Sequence, residues 1–444
     1  MSRLYLTSLL ALAVDLRGAF SYPTNTSEVS LLARDDGEFI FAALGDSWAS
    51  GVTYTPFNSY DGNKDNCKRY SYAWSTVVAN HGSDWLPDGK KAKLEFVACS
   101  GAKTENVMEQ MDKTTRPKIT LMEIGGNDAD FYPLADSCLF HSHRDKNYGK
   151  RYEEDDAEHP GGECRREIKE VRGRVETDGI KKSIKGVINQ WRYHPANAGN
   201  EASLYLHGYP WFFGDSEECN DWDFTVFYNS DPAKNQKLVH DLRTDFNKMI
   251  DQMNRNIREA VEEYQDPKIK YIDINPAFDQ RRFCEPGASW WSQLNYNNGV
   301  WIWNNPARWI ITIKNGNKER KYGKLFESPP QDEVEKMLAH PNEPVMLDDG
   351  DTISRTYSDP DDENHSMTLE GSLKDFQNFR SGGGDGSVSR TLHPTQPGHE
   401  AMAKIIIERL KKDFKSGVTQ QPWGSNNCPA GCKCSSSGAP PLCS

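Results

Sequence analysis

Short apolar runs alternate with longer stretches of helical periodicity along most of this chain. Residues 38–44 (EFIFAAL) form a compact apolar run that empties into Gly45-Asp46-Ser47, the pattern of a buried parallel strand ending in a tight turn. Residues 94–98, 119–124, 203–207 and 269–274 have the same character, which predicts five strands. Between them, residues 70–80, 179–193 and 234–264 carry apolar side chains at helical spacing, the last through Leu238, Leu242, Phe246, Met249, Met253 and Ile257. A final helix over residues 396–414 sets Met402, Ile405, Ile406 and Leu410 on one face. Alternation on this scale predicts an α/β fold, an open parallel sheet of about five strands with helices on both faces. Ligands in such sheets bind at the carboxyl ends of the strands.

Three regions break the alternation. Residues 139–174 are dense in charge and contain His141, His143 and His159, while residues 286–385 hold Trp290, Trp291, Trp301, Trp303 and Trp309 before an acidic, Asp- and Ser-rich part around 348–364. Both are expected to be insertions in a catalytic domain spanning 38–416. The tail, 417–444, places Cys428, Cys432, Cys434 and Cys443 among Pro, Gly and Ser; so small a segment cannot bury a core, and two internal disulfides are its expected staple. At the other end, the apolar run 4–14 is eleven residues long, too short to span a bilayer. With Arg3 before it and Ala19 and Ser21 at the −3 and −1 positions of a cleavage site, it reads as a signal peptide over 1–21. A polar N-terminal segment or pro-segment, 22–37, follows.

Composition narrows the function classes. With 36% hydrophobic and 11% aromatic residues in 444, the chain can close a sizeable core, which excludes disorder throughout. Its 53 Lys and Arg against 65 Asp and Glu give a net charge of −12, the wrong sign for gripping nucleic acid or anionic lipid. Ten cysteines behind a secretory signal favour disulfides over zinc or thiol chemistry. Order and proximity suggest Cys67 with Cys99, Cys138 with Cys164 and Cys219 with Cys284, although spacing alone leaves other connectivities open. Asn25-Thr-Ser27 and Asn364-His-Ser366 are glycosylation sequons that fit the same compartment. No metal is expected: His141 and His143 beside Cys138 and Cys164 lack the paired spacing of structural zinc, and the calcium-loop-like stretch 61–65 lacks the later glycine and acid.

Candidate chemistry gathers where strands end. Ser47 follows the first strand, Ala98-Cys-Ser-Gly-Ala-Lys-Thr104 follows the second, Ile124-Gly-Gly-Asn-Asp128 follows the third, and Leu392-His-Pro opens the last helix. Gly214-Asp-Ser216 repeats the letters of Gly45-Asp-Ser47 without that context and, near Cys219, reads as a loop braced by a disulfide. Asp46 caps the turn or braces Ser47, and His399 reads as a surface histidine. The tryptophans of 290–309 read as the core of their insertion, with a sugar-stacking surface or an acyl channel as the other readings.

These motifs resemble the SGNH (GDSL) hydrolase family, whose four blocks occur here in order: Gly-Asp-Ser at Ser47, the block-two glycine at Gly101, Gly-Gly-Asn-Asp with Asn127, and His-Pro at His393. The resemblance runs from about residue 39 to 410. It implies a flavodoxin-like three-layer αβα sandwich and hydrolysis of carboxylic esters. It also implies Ser47 as nucleophile, His393 as general base, and an oxyanion hole from the amides of Ser47 and Gly101 with the Asn127 side chain. That set suits the chemistry, since a serine hydroxyl needs an adjacent base and a tetrahedral intermediate needs donors aimed at its oxyanion. Resemblance to secreted members further favours the Cys67–Cys99 pair. One position departs from the family: the Asp common three residues before the histidine is Arg390 here. The first candidate to orient His393 is therefore the main-chain carbonyl of Arg390, and the second is Asp385. The expected protein is a secreted, monomeric, cofactor-free esterase or lipase acting on esters of lipids or acylated carbohydrates. A polysaccharide acetyl esterase, or a catalytically weakened carbohydrate- or lipid-binding protein on the same fold, is the alternative.

Overall fold

The structure, a computed structural model, describes residues 37–52, 59–62, 65–87, 90–141, 147–197, 201–224, 235–288, 293, 299–303, 310–322, 333, 345–348, 352–359, 361–372, 391–414, 432–433 and 442–443. The N-terminal segments expected over 1–36, most of the tail, His143, Trp290, Trp291, Trp309, Asp385 and Arg390 lie outside the described residues.

The predicted strands form one parallel sheet. Its members are β1 (Glu38–Gly45), β2 (Lys91–Phe96), β3 (Ile119–Glu123), β4 (Ser203–His207) and β5 (Ile269–Ile272), in the spatial order β2-β1-β3-β4-β5. β3 and β4 are buried along their whole length, as continuous apolar runs in a sheet covered on both faces must be. β2, at the edge, begins at Lys91, earlier than its apolar run suggests, because its KAKLEF segment alternates polar and apolar residues.

Nine α-helices are described: α1 (Ser47–Ser50), α2 (Trp74–Asn80), α3 (Gly82–Trp85), α4 (Val107–Asp112), α5 (Phe131–Ala135), α6 (Glu163–Glu176), α7 (Asp178–Tyr193), α8 (His240–Glu262) and α9 (Gln396–Phe414). α9 packs on α2 and α3, while α8 packs on α6 and α7 and α7 on α4, so the helices form two layers around the sheet. The result is the αβα sandwich that the alternation and the family resemblance imply. The order reverses between β1 and β3, which makes the crevice at their carboxyl ends the place for a ligand.

Disulfides join Cys67 to Cys99, Cys138 to Cys164 and Cys219 to Cys284. Each ties an irregular segment to a regular element or a second loop, limiting the conformations of the unfolded chain. Among the described residues no helix is long and apolar enough to cross a membrane.

Sequence periodicity missed two features. α6 lies inside the charged stretch 139–174, its buried stripe (Cys164, Ile168, Val171, Val175) masked by the charges of its outer face. Within 286–385 a second sheet, antiparallel and five-stranded, runs in the order β7-β6-β10-β9-β8: β6 is Ile310–Asn315, β7 Lys318–Tyr322, β8 Val345–Asp348, β9 Thr352–Asp359 and β10 Asp362–Ser372. In β6 and β10 the buried positions alternate, through Ile311, Ile313, Met367 and Leu369, so these strands present no continuous apolar run. In the tail, Cys432–Lys433 pairs antiparallel with Leu442–Cys443.

Candidate active site

The chain leaves β1 through a turn that requires glycine. Gly45 has φ 133°, and a Cβ there would stand 2.0 Å from the Glu123 carbonyl oxygen on β3. Gly45 N–H donates to Gln110 Oε1 and Gln110 Nε2 donates back to the Gly45 carbonyl, both at 2.8 Å. Asp46 N–H donates to Glu123 O at 3.1 Å, and Asp46 caps α1 by accepting from Trp48 N–H on Oδ1 at 3.0 Å. Ser47 is thereby fixed as the first residue of α1, at the carboxyl edge of the sheet.

His393 comes from the far end of the chain on the segment before α9. A backbone ladder grips that segment: Leu392 N–H donates to Trp303 O at 2.6 Å, Trp303 N–H to His393 O at 2.9 Å, and Thr395 N–H to Trp301 O at 2.9 Å. Leu392 is left-handed, with φ 58°, and its turn presents the preceding carbonyl to the imidazole. His393 Nδ1 lies 2.9 Å from Thr391 O, and Nε2 lies 2.6 Å from Ser47 Oγ. A carbonyl only accepts, so Nδ1 carries the proton and Nε2 accepts from the Ser47 hydroxyl.

The third strand end adds the amides. Asn127 Nδ2 donates to Ala102 O at 3.0 Å, and Asp128 accepts from Thr104 N–H at 3.0 Å, which ties the loops after β2 and β3 together. Tyr209 joins the β3 loop to the Ser47 turn: its hydroxyl donates to Asp46 Oδ2 at 2.7 Å and accepts from Gly126 N–H at 3.0 Å. Asn254 on α8 holds the Tyr209 backbone, accepting from its N–H at 2.8 Å and donating to its carbonyl at 2.7 Å.

Beneath this set lie Asp46, Glu123 and His207, all buried. Glu123 Oε2 accepts from Trp74 Nε1 at 3.3 Å, and its Oε1 is 3.7 Å from His207 Nδ1. Burial pushes Asp46 up to about 7, against the hydrogen bonds from Tyr209 and Trp48. Burial first, and Asp46 second, hold Glu123 well above the usual carboxylate range. Burial pushes His207 down to about 3. The same burial thus disfavours charge on all three groups, the two carboxyls and the imidazole.

Ser47, Asn127 and His393 line one cavity of about 100 Å³. Much of its wall is apolar, from Trp48, Phe131, Phe140, Phe212 and Ile250. The sequence matches the GDSL-like Lipase/Acylhydrolase family over residues 41–406. The chain belongs to that family.

This GDSL hydrolase is an ester-hydrolysing enzyme, and its substrate is an ester. No curated protein matches it. Among solved structures it is similar to the extracellular lipase of Streptomyces rimosus, at 21% identity and TM-score 0.40 over 57% of this chain and 86% of that one. It is also similar to the native M. smegmatis aryl esterase, at 9% identity and TM-score 0.28 over 54% and 85% of the two chains. A possible lipase from Chitinophaga pinensis aligns at 12% identity and TM-score 0.25 over 84% and 98%.

Of the residues singled out from the GDSL blocks, Ser47, Asn127 and His393 share the cavity, whereas Gly101, left-handed at φ 84°, stands outside its lining on the loop after β2. His393 Nδ1 faces the carbonyl of Thr391, which the turn at Leu392 brings round, while Arg390 and Asp385, the two candidates read from the sequence, lie outside the described residues. His399 is fully buried and not a surface histidine: it stands one turn before Met402 and Ala403 on the buried stripe of α9. Burial and the neighbouring His393 hold it down to about 3. Trp301 and Trp303 are packed inward and grip the histidine segment through their backbone. Gly214 and Ser216 form a braced loop: Arg243 donates to both carbonyls, at 2.6 and 2.9 Å, beside the Cys219–Cys284 disulfide. Tyr209 carries no motif, and nothing in the sequence marks it.

Proposed function

We propose that the protein is a secreted esterase or lipase in which Ser47 is the nucleophile and His393 the general acid and base. The observation that carries this reading is the 2.6 Å contact between Ser47 Oγ and His393 Nε2, with the Nδ1 proton committed to a main-chain carbonyl. Ser47 Oγ attacks the ester carbonyl carbon while its proton passes to Nε2. The carbonyl oxygen becomes an oxyanion held by the Ser47 amide and Asn127 Nδ2 from the cavity wall, with the Gly101 amide, on the loop after β2 beyond that wall, as the third donor that the family resemblance implies. Collapse breaks the bond to the alcohol oxygen, which takes the proton from Nε2 and leaves an acyl-enzyme. Water then repeats the sequence, giving up a proton to Nε2, releasing the acid and restoring the Ser47 hydroxyl.

The Thr391 carbonyl, 2.9 Å from Nδ1, fixes the tautomer and faces the imidazolium with its dipole. Neither cofactor nor metal enters this scheme. Three disulfides and the leader-like residues 1–21 support export, with 22–37 as a pro-segment, 38–416 as the catalytic domain and 417–444 as a stapled tail.

The test is labelling by a serine-directed organophosphonate together with turnover of p-nitrophenyl esters. Wild type should label at Ser47 and turn over, and folded Ser47→Ala and His393→Ala should each lose about 10³-fold or more in kcat. Turnover surviving in folded Ser47→Ala refutes the assignment.

A further inference from the structure

The cavity beside Ser47 says which part of the ester it receives. Phe140, Phe212 and Ile250 are 2%, 5% and 1% exposed and close its inner end, while Tyr132, 47% exposed, stands at its mouth. Among the described residues of the wall the one acidic side chain, Asp46, accepts from Trp48 N–H and Tyr209 OH. The inner end therefore offers dispersion contacts and no partner for a polar group.

The direction of entry follows from the reaction. In a tetrahedral adduct on Ser47 the oxyanion faces Asn127, and the leaving oxygen faces His393 to receive its proton. The remaining substituent, the acyl chain, is left the apolar wall, which includes Phe131 and Ala135 on α5 and Phe140 beyond it. The inner end has little freedom to retreat. Phe140 ends the π-helical turn Asp136–Phe140, which the Cys138–Cys164 disulfide anchors to α6, and its ring stacks on Phe224 at 6.1 Å. A dry cavity of about 150 Å³ holds benzene, so about 100 Å³ holds about four carbons.

We propose that this cavity is the acyl site and that its fixed inner end makes the enzyme selective for short acyl chains, centred on butanoate. The inference rests on the esterase reading above. Each methylene that fits is buried and each further one is left outside, so the gain per carbon stops where the cavity does.

The experiment measures kcat/KM of the full folded chain on p-nitrophenyl esters from acetate to palmitate, and on butanoate esters of alcohols of increasing length. From acetate to butanoate kcat/KM should rise about fourfold per methylene, then level or fall beyond butanoate. The alcohol series should change it by less than about threefold overall, under one methylene's worth. Ala135→Leu, which fills the cavity, should shift the optimum to acetate or propanoate, and Phe140→Leu, which deepens it, should shift the optimum to longer chains. A steady rise through octanoate to palmitate overturns the proposal, as does an optimum unmoved in both folded variants or one set by the alcohol. Those outcomes leave the esterase reading standing; absence of Ser47-dependent turnover on every ester overturns both.

Discussion

Replacing Tyr209 by Phe removes one oxygen and two hydrogen bonds, the donation to Asp46 Oδ2 at 2.7 Å and the acceptance from Gly126 N–H at 3.0 Å. The ring remains, edge-on to Trp48 with centroids 5.8 Å apart, so packing is conserved and only the link between the nucleophile turn and the Asn127 loop is cut. A buried carboxylate oxygen and a partly buried amide are left short of a partner, at about 1–3 kcal/mol each before relaxation. The stability cost should therefore be about 2–4 kcal/mol. For catalysis, Gly126 adjoins Asn127, and an oxyanion donor is worth about 10²- to 10³-fold in kcat. Loosening that donor without removing it should cost about 10- to 100-fold in kcat, with KM within about twofold. The assay is a double-mutant cycle of Tyr209→Phe with Asn127→Ala on one ester, alongside urea unfolding of each variant. If Tyr209 acts through the Asn127 loop, its effect should largely vanish in the Asn127→Ala background. A folded Tyr209→Phe with wild-type kcat, or with an effect that adds fully to that of Asn127→Ala, refutes the reasoning.

Gly45→Ala should abolish folding or lower the melting temperature by more than about 10 °C, since its Cβ would sit 2.0 Å from Glu123 O; a thermal melt within about 2 °C of wild type contradicts the strained turn. Arg243→Met should cost about 3–5 kcal/mol in urea unfolding, because four acceptors, on Gly214, Ser216, Leu238 and Asn220, lose their donor. Ser216→Ala should keep wild-type kcat, and a catalytic loss in that folded variant would reopen the second Gly-Asp-Ser as a site. His399→Leu tests the pH dependence of stability. The native His399 is held down to about 3 and the unfolded one titrates near 6.5, so wild type loses up to about 1.4 kcal/mol per pH unit as pH falls through that window. The Leu variant should lose less by that amount in urea unfolding between pH 6 and 4. Asp46, raised to about 7, acts in the opposite sense in both proteins and cancels from the comparison. Equal slopes would place His399 in contact with water.

The parallel sheet was legible because β1, β3, β4 and β5 are each a compact apolar run beside a turn residue, a pattern that a doubly covered strand imposes. Ser47, Asn127 and His393 were legible because each stands in a motif at a strand end or helix start. The second sheet was hidden, since strands buried on alternate positions and built from Thr, Ser and Asp resemble an acidic loop. His399 was readable after all: its spacing to Met402, Ile406 and Leu410 is the helical period, and the residue type outweighed the position. Tyr209 and the Thr391 carbonyl had no such signal. One reaches its partners through tertiary packing, and the other is a main-chain atom whose direction depends on the φ of Leu392.

The hydrogen bond between Ser47 and His393 spans 346 positions, and the ladder that aims the histidine comes from residues 301–303. At about 5–20 residues per second, roughly 20–70 s separate synthesis of the hydroxyl from that of its imidazole. On the proposed mechanism the nascent chain can close much of its parallel sheet in that interval while the base that Ser47 needs is still to be made. On that reading activity waits for residue 393, and a chain cut short before it carries the serine without its imidazole.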